Sequence, residues 1–287
     1  MINHRVCIAG LGLMGGSMAQ ALKGKAGRVT GVDRHAATRQ QALADGVVDF
    51  APESLAVGVS DADIVILAMP VRAILDALHE LPVLIPDGCF VLDLGSTKAA
   101  INEAMSELPP GFAALGGHPM CGKETAGYRA ADPTLFQGQT FILTRNERTT
   151  PEIERQALAI IDLIGAKPLF MEAQQHDRLT AAVSHLPYVL SAALMRFVSQ
   201  QKDDYLWQTS ASGFRDVSRL AGSDPQMLLD ILLTNKTVVL EQLKGYQVEL
   251  QEVIRLLAGA DEKTLAAWLS EAQRRHIAYR KAKTDLE

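Results

Sequence analysis

The sequence predicts an α/β fold, with a doubly wound and largely parallel sheet first and an all-helical part after it. Three observations predict this. Short runs apolar on both faces alternate with helical patterns up to residue 171, a glycine-rich turn joins the first run to the first helical pattern, and strand-like runs stop after residue 173. Strands apolar on both faces are buried on both faces, as in a parallel sheet covered by crossover helices.

The strand-like runs are residues 6–9, 29–32, 64–68, 90–94, 113–115 and 140–143, with 167–171 as a last strand. Helical patterns occupy 17–22, 39–44, 74–81 and 151–164. Beyond them, 180–200 and 262–281 each read as one helix, and 224–257 as one or two. The apolar residues of 228–257 fall on more than one face, so the segment needs burial on more than one face. Either its own core or a second copy of the chain supplies that, and the small size of the helical part favours the copy. The expected domains are 1–172 and 173–287.

Composition excludes several classes. Of the 287 residues, 48% are hydrophobic and 21% charged, and the net charge is −5. That is an ordinary globular composition with no electrostatic pull toward nucleic acid or an anionic membrane. An anionic substrate therefore needs local positive charge. No apolar run reaches the ~18 residues of a membrane span, and Met1 to Arg5 lacks a leader pattern. Cys7, Cys89 and Cys121 are odd in number and far apart, as expected of reduced thiols in a cytoplasmic protein. No cysteine or histidine cluster has metal-ligand spacing, so no metal is expected.

The strongest local motif is Gly10-Leu11-Gly12-Leu13-Met14-Gly15, which follows a strand and opens a helix. Gly10 permits the tight turn, Gly12 lets the backbone approach a pyrophosphate, and Gly15 lets helix and strand pack closely. The free N–H groups of the helix start, here of Leu13 and Met14, favour phosphate charge. This is the Rossmann-type dinucleotide fingerprint. An acidic residue ends the second strand, as the fingerprint requires: Asp33, 21 positions beyond Gly12. A carboxylate there accepts from ribose hydroxyls and repels a 2′-phosphate, which favours NAD over NADP; the adjacent Arg34 softens that preference. FAD would use a similar turn, but further flavin-contacting segments are not found.

Three more segments stand at strand ends, loops or helix starts: Asp93-Leu94-Gly95-Ser96-Thr97-Lys98, the run from Gly116 to Gly127 containing His118-Pro119-Met120, and Gly213-Phe214-Arg215-Asp216-Val217-Ser218-Arg219. With His176-Asp177, Ser184-His185-Leu186-Pro187 and Ser223-Asp224-Pro225, they occur in the order that resembles the prephenate/arogenate dehydrogenases of tyrosine biosynthesis. The resemblance covers essentially the whole chain. It implies oxidative decarboxylation of prephenate or arogenate with a nicotinamide cofactor, by a homodimer held through its helical domains.

By that resemblance His118 is the catalytic histidine. A neutral imidazole suits acceptance of a hydroxyl proton near pH 7. Ser96 resembles the serine between nicotinamide and substrate hydroxyl; it or Thr97 also reads as the cap of a helix over 99–108. Lys98 reads as a solvated helix residue. Arg219 is the candidate for a substrate carboxylate, with an ion pair to Asp216 as the plainer reading. Glu124 is expected to pair with a basic residue and regulate entry, or to lie on the surface. His185 shares a helix with Pro187, which should kink it, and Tyr188 shares His185's face; both are expected in the substrate pocket. Ser223 and Gln226 are spaced as a capping box.

Many family members carry histidine where this chain has Tyr188, and tryptophan where it has Leu228. The first departure bears on tyrosine feedback and on side-chain preference. Prephenate is slightly favoured over arogenate. Two rivals share the glycine turn: a β-hydroxyacid dehydrogenase, whose catalytic lysine has no counterpart here, and a non-enzymatic NAD sensor, which has no need of Ser96, His118 and Arg219 together.

Overall fold

The computed structural model describes residues 2–123 and 125–284. The elements in chain order are β1 (Ile2–Ala9), α1 (Leu13–Leu22), β2 (Ala26–Val32), α2 (Ala36–Ala44), α3 (Leu55–Val59), β3 (Ile64–Leu67), α4 (Val71–Leu84), β4 (Phe90–Asp93), α5 (Ala99–Ser106), β5 (Ala113–Pro119), β6 (Thr140–Thr144), α6 (Pro151–Leu163) and β7 (Lys167–Phe170). Helices follow: α7 (Ala173–Thr180), α8 (Leu186–Val198), α9 (Ser212–Ser218), α10 (Pro225–Thr234), α11 (Lys236–Ala258) and α12 (Glu262–Thr284).

The seven strands form one sheet in the order β2-β1-β3-β4-β5-β6-β7. All pairs are parallel except β5 with β6. Successive side chains of a strand point to opposite faces. Val6 and Ile8 therefore enter one apolar layer with Met18, Leu22 and Ile160, while Cys7 and Ala9 enter the other with Ile74, Leu78 and Ile101. Strand order reverses between β1 and β3, which opens a crevice at the carboxyl ends of the strands. The glycine turn after β1 borders that crevice.

Several local expectations change. His118 is not in a loop: β5 runs on to Pro119, and His118 pairs with Ile142 of β6. The strand pairs with β4 through Leu115 and with β6 from Gly116 onward, so the glycines that suggested a loop are ladder positions. Pro187 does not simply kink a helix. Residues 181–185 form a π-helical turn, closed by Leu186 N–H donating to Ala181, and α8 begins with Pro187 in its first turn. Proline has no N–H, so it interrupts the bonding ladder of the helical run 173–198 directly after the π turn, and both are irregularities at which helices bend. Asp224, not Ser223, caps α10, its carboxylate accepting from Met227 N–H at 2.8 Å.

By internal contacts the chain forms two compact units, 1–239 and 240–287, divided within α11. In the first unit α10 is tied to the sheet layer: Asp230, 3% exposed, accepts from Arg72 Nε of α4 at 2.7 Å. In the apolar segment 228–257, Ile231, Val239 and Leu256 are buried, whereas Leu233, Leu250, Ile254 and Leu257 are exposed. A core alone therefore leaves much of that segment uncovered. One helical run, Ala173–Val198, is long and apolar enough to cross a membrane by length and composition, contrary to the expectation of none. Its buried polar residues His176, Asp177 and His185 are engaged in hydrogen bonds.

Gly15 shows how tightly the glycine turn is built: a Cβ there would lie 1.8 Å from the Gly10 carbonyl oxygen. Gly15→Ala is expected to destabilise the protein by about 1–3 kcal/mol or more, read as a lower Tm. An unchanged Tm would mean that helix and turn are not in this contact.

Candidate active site

The glycine turn is built as a dinucleotide cradle. Gly10 sits at φ +93°, where a side chain is strained, and a Cβ there would also meet the Ala68 carbonyl at 2.8 Å. Gly12 differs: a Cβ there meets no atom within 4 Å. Its lack of a side chain is unexplained by packing and fits a backbone left open to a ligand. Gly12 precedes α1 without a side-chain cap, and the first turn of α1 holds no acidic residue. The N–H groups of Leu13 and Met14, both half-buried, thus face the crevice side with a favourable dipole. Asp33, half-buried at the end of β2, accepts from Leu11 N–H at 3.0 Å and His35 N–H at 2.8 Å. Arg34 is exposed, its Nε 3.2 Å from His35 Nε2. These residues fit the adenosine and pyrophosphate of NAD.

The loop after β4 holds Ser96 over a buried ion pair. Lys98, expected in solvent, is fully buried, and its ammonium bonds the equally buried Asp93 carboxylate. Burial pushes Lys98 below its usual range, and Asp93 opposes that shift. The same carboxylate accepts from Gly95 N–H at 2.8 Å and Gly117 N–H at 2.9 Å. The Ser96 loop and the strand bearing His118 are therefore anchored on one side chain. Ser96 is half-buried and gives no side-chain cap to α5. The expected cap, Ser96 or Thr97, is replaced by Asp177 of α7, whose two oxygens accept from Lys98 N–H at 2.7 Å and Ala99 N–H at 2.9 Å. Thr97 instead bonds Thr234 of α10 at 2.9 Å.

His118 stands at the head of a three-residue chain. Its Nδ1 lies 2.7 Å from His176 Nε2, and His176 Nδ1 lies 2.7 Å from Asp177 Oδ1. Burial, reinforced by His176, Lys98 and His185, holds His118 well below the ordinary 6.5, so the imidazole is neutral at neutral pH. Burial also lowers His176, although Asp177 opposes it. Burial acts to raise Asp177, but the His176 hydrogen bond and the two backbone donors hold it below the usual carboxylate range.

His185 is 1% exposed, and burial brings it down to about 4. Its Nδ1 lies 3.3 Å from Asn235 Nδ2, which also donates to the Asp177 carbonyl at 2.8 Å. The structure thus gathers His118, Ser96 and His185 around Asp93 and Asp177. Tyr188 and Arg219 belong to a second group. Tyr188 is half-buried in α8, and Arg219 is exposed on the short 3-10 turn Arg219–Gly222. That turn is fastened to α8 by Ala221 N–H donating to Ser191 Oγ at 2.9 Å. Asp216, the partner in the plainer reading of Arg219, lies 3.7 Å from Arg215 Nε. Glu124 lies outside the described residues.

Comparison with known proteins places the chain. Residues 18–169 match the family model described as prephenate dehydrogenase, nucleotide-binding domain, and residues 172–271 match prephenate dehydrogenase, dimerization domain. The chain belongs to the prephenate dehydrogenase family. Within the family, prephenate dehydrogenase of Bacillus subtilis is 33% identical, over 93% of this chain and 74% of that protein. Cyclohexadienyl dehydrogenase of Zymomonas mobilis is 31% identical, over 95% of each chain. The crystal structure of the Aquifex aeolicus family member, in complex with hydroxyphenyl propionate and NAD+, superposes with a TM-score of 0.89 at 28% identity, covering 97% of this chain and 99% of that one.

Lys98, Asp93, Asp177 and Asn235 were not singled out for roles by sequence reasoning. The available signal was charge without an outlet, a lysine just after a strand and a histidine–aspartate pair opening an apolar helix. Lys98→Met leaves the Asp93 carboxylate buried without its cation, so a loss of about 3–5 kcal/mol is expected, measured by denaturant unfolding. A loss below 1 kcal/mol would show that the two backbone donors suffice.

Proposed function

We propose that the protein is an NAD-dependent dehydrogenase that converts prephenate to 4-hydroxyphenylpyruvate by oxidative decarboxylation, in tyrosine biosynthesis. The observation that carries this reading, within the family, is the neutral His118 imidazole held by Nδ1 at the carboxyl ends of the strands, with Ser96 on the neighbouring anchored loop. The non-enzymatic sensor and β-hydroxyacid readings give no use to that arrangement.

The roles follow from the chemistry of each group. Gly10, Gly12 and Gly15 shape the turn, Leu13 and Met14 offer N–H groups to the pyrophosphate, and Asp33 accepts from the ribose, with Arg34 beside it. NAD held by these residues would supply the acceptor for the hydride of the carbinol carbon. Ser96 hydrogen-bonds the substrate hydroxyl next to the nicotinamide, and His118 Nε2 takes that hydroxyl's proton. The carbon–carboxylate bond then breaks, carbon dioxide leaves, and its electron pair completes the aromatic ring. Arg219 binds a substrate carboxylate, His185 and Tyr188 form the pocket wall, and Glu124 guards its entry.

The nucleotide domain is assigned to 1–172 and the helical substrate and dimerisation domain to 173–287, in keeping with the edges of the two family matches. A homodimer through the helical part is supported by the dimerization-domain match and by exposed Ile254, Leu257 and Ile277. Three free thiols suit a cytoplasmic setting. Arogenate is the second reading, favoured by the cyclohexadienyl relative and by the uncharged Tyr188 in place of histidine.

His118→Asn is expected to bind NAD normally and to lose turnover by about 10²–10⁴-fold. In the unaltered enzyme, kcat/KM should stay level at neutral pH and fall only well below 6.5, because the neutral form is the active one and its pKa is depressed. Near-normal turnover in the variant would remove His118 as the base. NADH formation measured with prephenate and arogenate in parallel settles the substrate; in the same assay Arg219→Ala should raise KM at least tenfold with cofactor affinity kept. An unchanged KM would take Arg219 out of the site.

A further inference from the structure

The reading of His118 as the base leaves one question open: what keeps its proton off the nitrogen that must accept another. A neutral imidazole carries its hydrogen on either ring nitrogen, and only a bare Nε2 can take the substrate proton. We propose that Asp177 is a positioning residue that fixes the tautomer of His118 through His176, holding the hydrogen on Nδ1 and leaving Nε2 bare. This rests on His118 being the proton acceptor.

The polarity of the chain is fixed from its far end. Asp177 Oδ1 receives Lys98 N–H at 2.7 Å and Oδ2 receives Ala99 N–H at 2.9 Å. Backbone N–H groups can only donate, so both oxygens must accept, and the positive end of α5 favours the ionised form. An accepting Oδ1 requires His176 to donate from Nδ1. Neutral His176 then has only a lone pair at Nε2, so the 2.7 Å contact to His118 requires His118 to donate from Nδ1. His118 Nε2 is left without a hydrogen. Each step has one answer because each partner has one remaining valence.

The other charged groups nearby do not reverse this order. The Lys98 ammonium faces the His pair but is bonded to Asp93. His185, brought down to about 4 by burial, is neutral near pH 7. Protonated His176 would donate toward His118 and reverse the chain, and its burial disfavours that form. Asp177 also sets the entry of α5, directly after the Ser96 loop. One carboxylate thus governs the position of the serine and the proton inventory of the histidine.

Asp177→Asn breaks the polarity. An amide has one donating end, and whichever way it is turned, either Ala99 N–H or the His176–Lys98 side faces N–H against N–H. Turned toward His176, it forces His176 to accept at Nδ1 and donate from Nε2, which places the His118 hydrogen on Nε2. His176→Gln is the conservative counterpart, since its carbonyl can accept from His118 while its amide donates to Asp177.

The test is long-range ¹H–¹⁵N correlation of the histidine rings at neutral pH, together with steady-state kinetics, on the full-length protein. The unaltered protein should show His118 as the Nδ1–H tautomer. Asp177→Asn should show Nε2–H and a kcat lower by about a thousandfold or more, the scale seen when the carboxylate behind a catalytic histidine becomes an amide, with cofactor affinity little changed. His176→Gln should keep Nδ1–H and retain much more turnover than Asp177→Asn. An Nε2–H tautomer in the unaltered protein overturns the proposal without any variant, and so does a folded Asp177→Asn that keeps both the Nδ1–H tautomer and the kcat. If His118→Asn keeps its turnover, the base assignment fails instead, whatever tautomer the spectra show.

Discussion

A buried carboxylate is intolerable to a protein unless its lone pairs are taken up, and Asp93 meets that demand by gathering three donors: Gly95 N–H, Gly117 N–H and the Lys98 ammonium. The geometry around the site depends on this gathering. It draws the loop after β4 back over the end of its own strand and locks it to β5. It also dictates glycine nearby: a Cβ on Gly117 would lie 2.5 Å from the Asp93 carbonyl oxygen, and one on Gly116 would lie 2.2 Å from Thr144 Oγ1. Glycines that look like loop residues in the sequence are the clearance that lets two strands and a charged pair share one small volume.

The helical segments within 1–239 complete this arrangement from the other side. Asp177 reaches the start of α5, Thr234 meets Thr97, and Asp230 holds Arg72 at the start of α4. Each contact joins a residue beyond β7 to a turn at the carboxyl edge of the sheet, where an open α/β sheet presents its ligands. The chain after β7 therefore supplies the site as well as a surface for a second copy. The boundary between the two compact units accordingly falls within α11 and not at the last strand.

Most of the fold was legible because its signals are local. The two-faced apolar runs marked each strand of the sheet, and Gly10, Gly12, Gly15 and Asp33 marked the nucleotide turn by spacing alone. Failures came where a distant partner decided the outcome. Lys98 reads as solvated because nothing adjacent in sequence predicts that Asp93 faces it in a dry space. The cap of α5 was sought at Ser96 and Thr97, the usual local donors, but Asp177, 78 positions from Ala99, takes that place. Likewise, the end of β5 was drawn at Leu115 because its continuation pairs with β6, and Gly-Gly-His-Pro has little strand propensity of its own. His118 stands out in the sequence by its motif; the two residues behind it are legible there only as part of a family pattern.

The placement of His118 on a paired strand has a mechanical consequence. A histidine on a loop can swing toward its reactant, and its reach is then part of the catalytic cycle. Here the backbone of His118 lies in register with Ile142, and its ring is braced from behind. It behaves as an anvil. In the proposed mechanism the reactant must come to a fixed nitrogen, so any adjustment falls to the exposed turn of Arg219 and the helix of Tyr188, which are joined through Ala221 N–H and Ser191 Oγ and are less deeply buried.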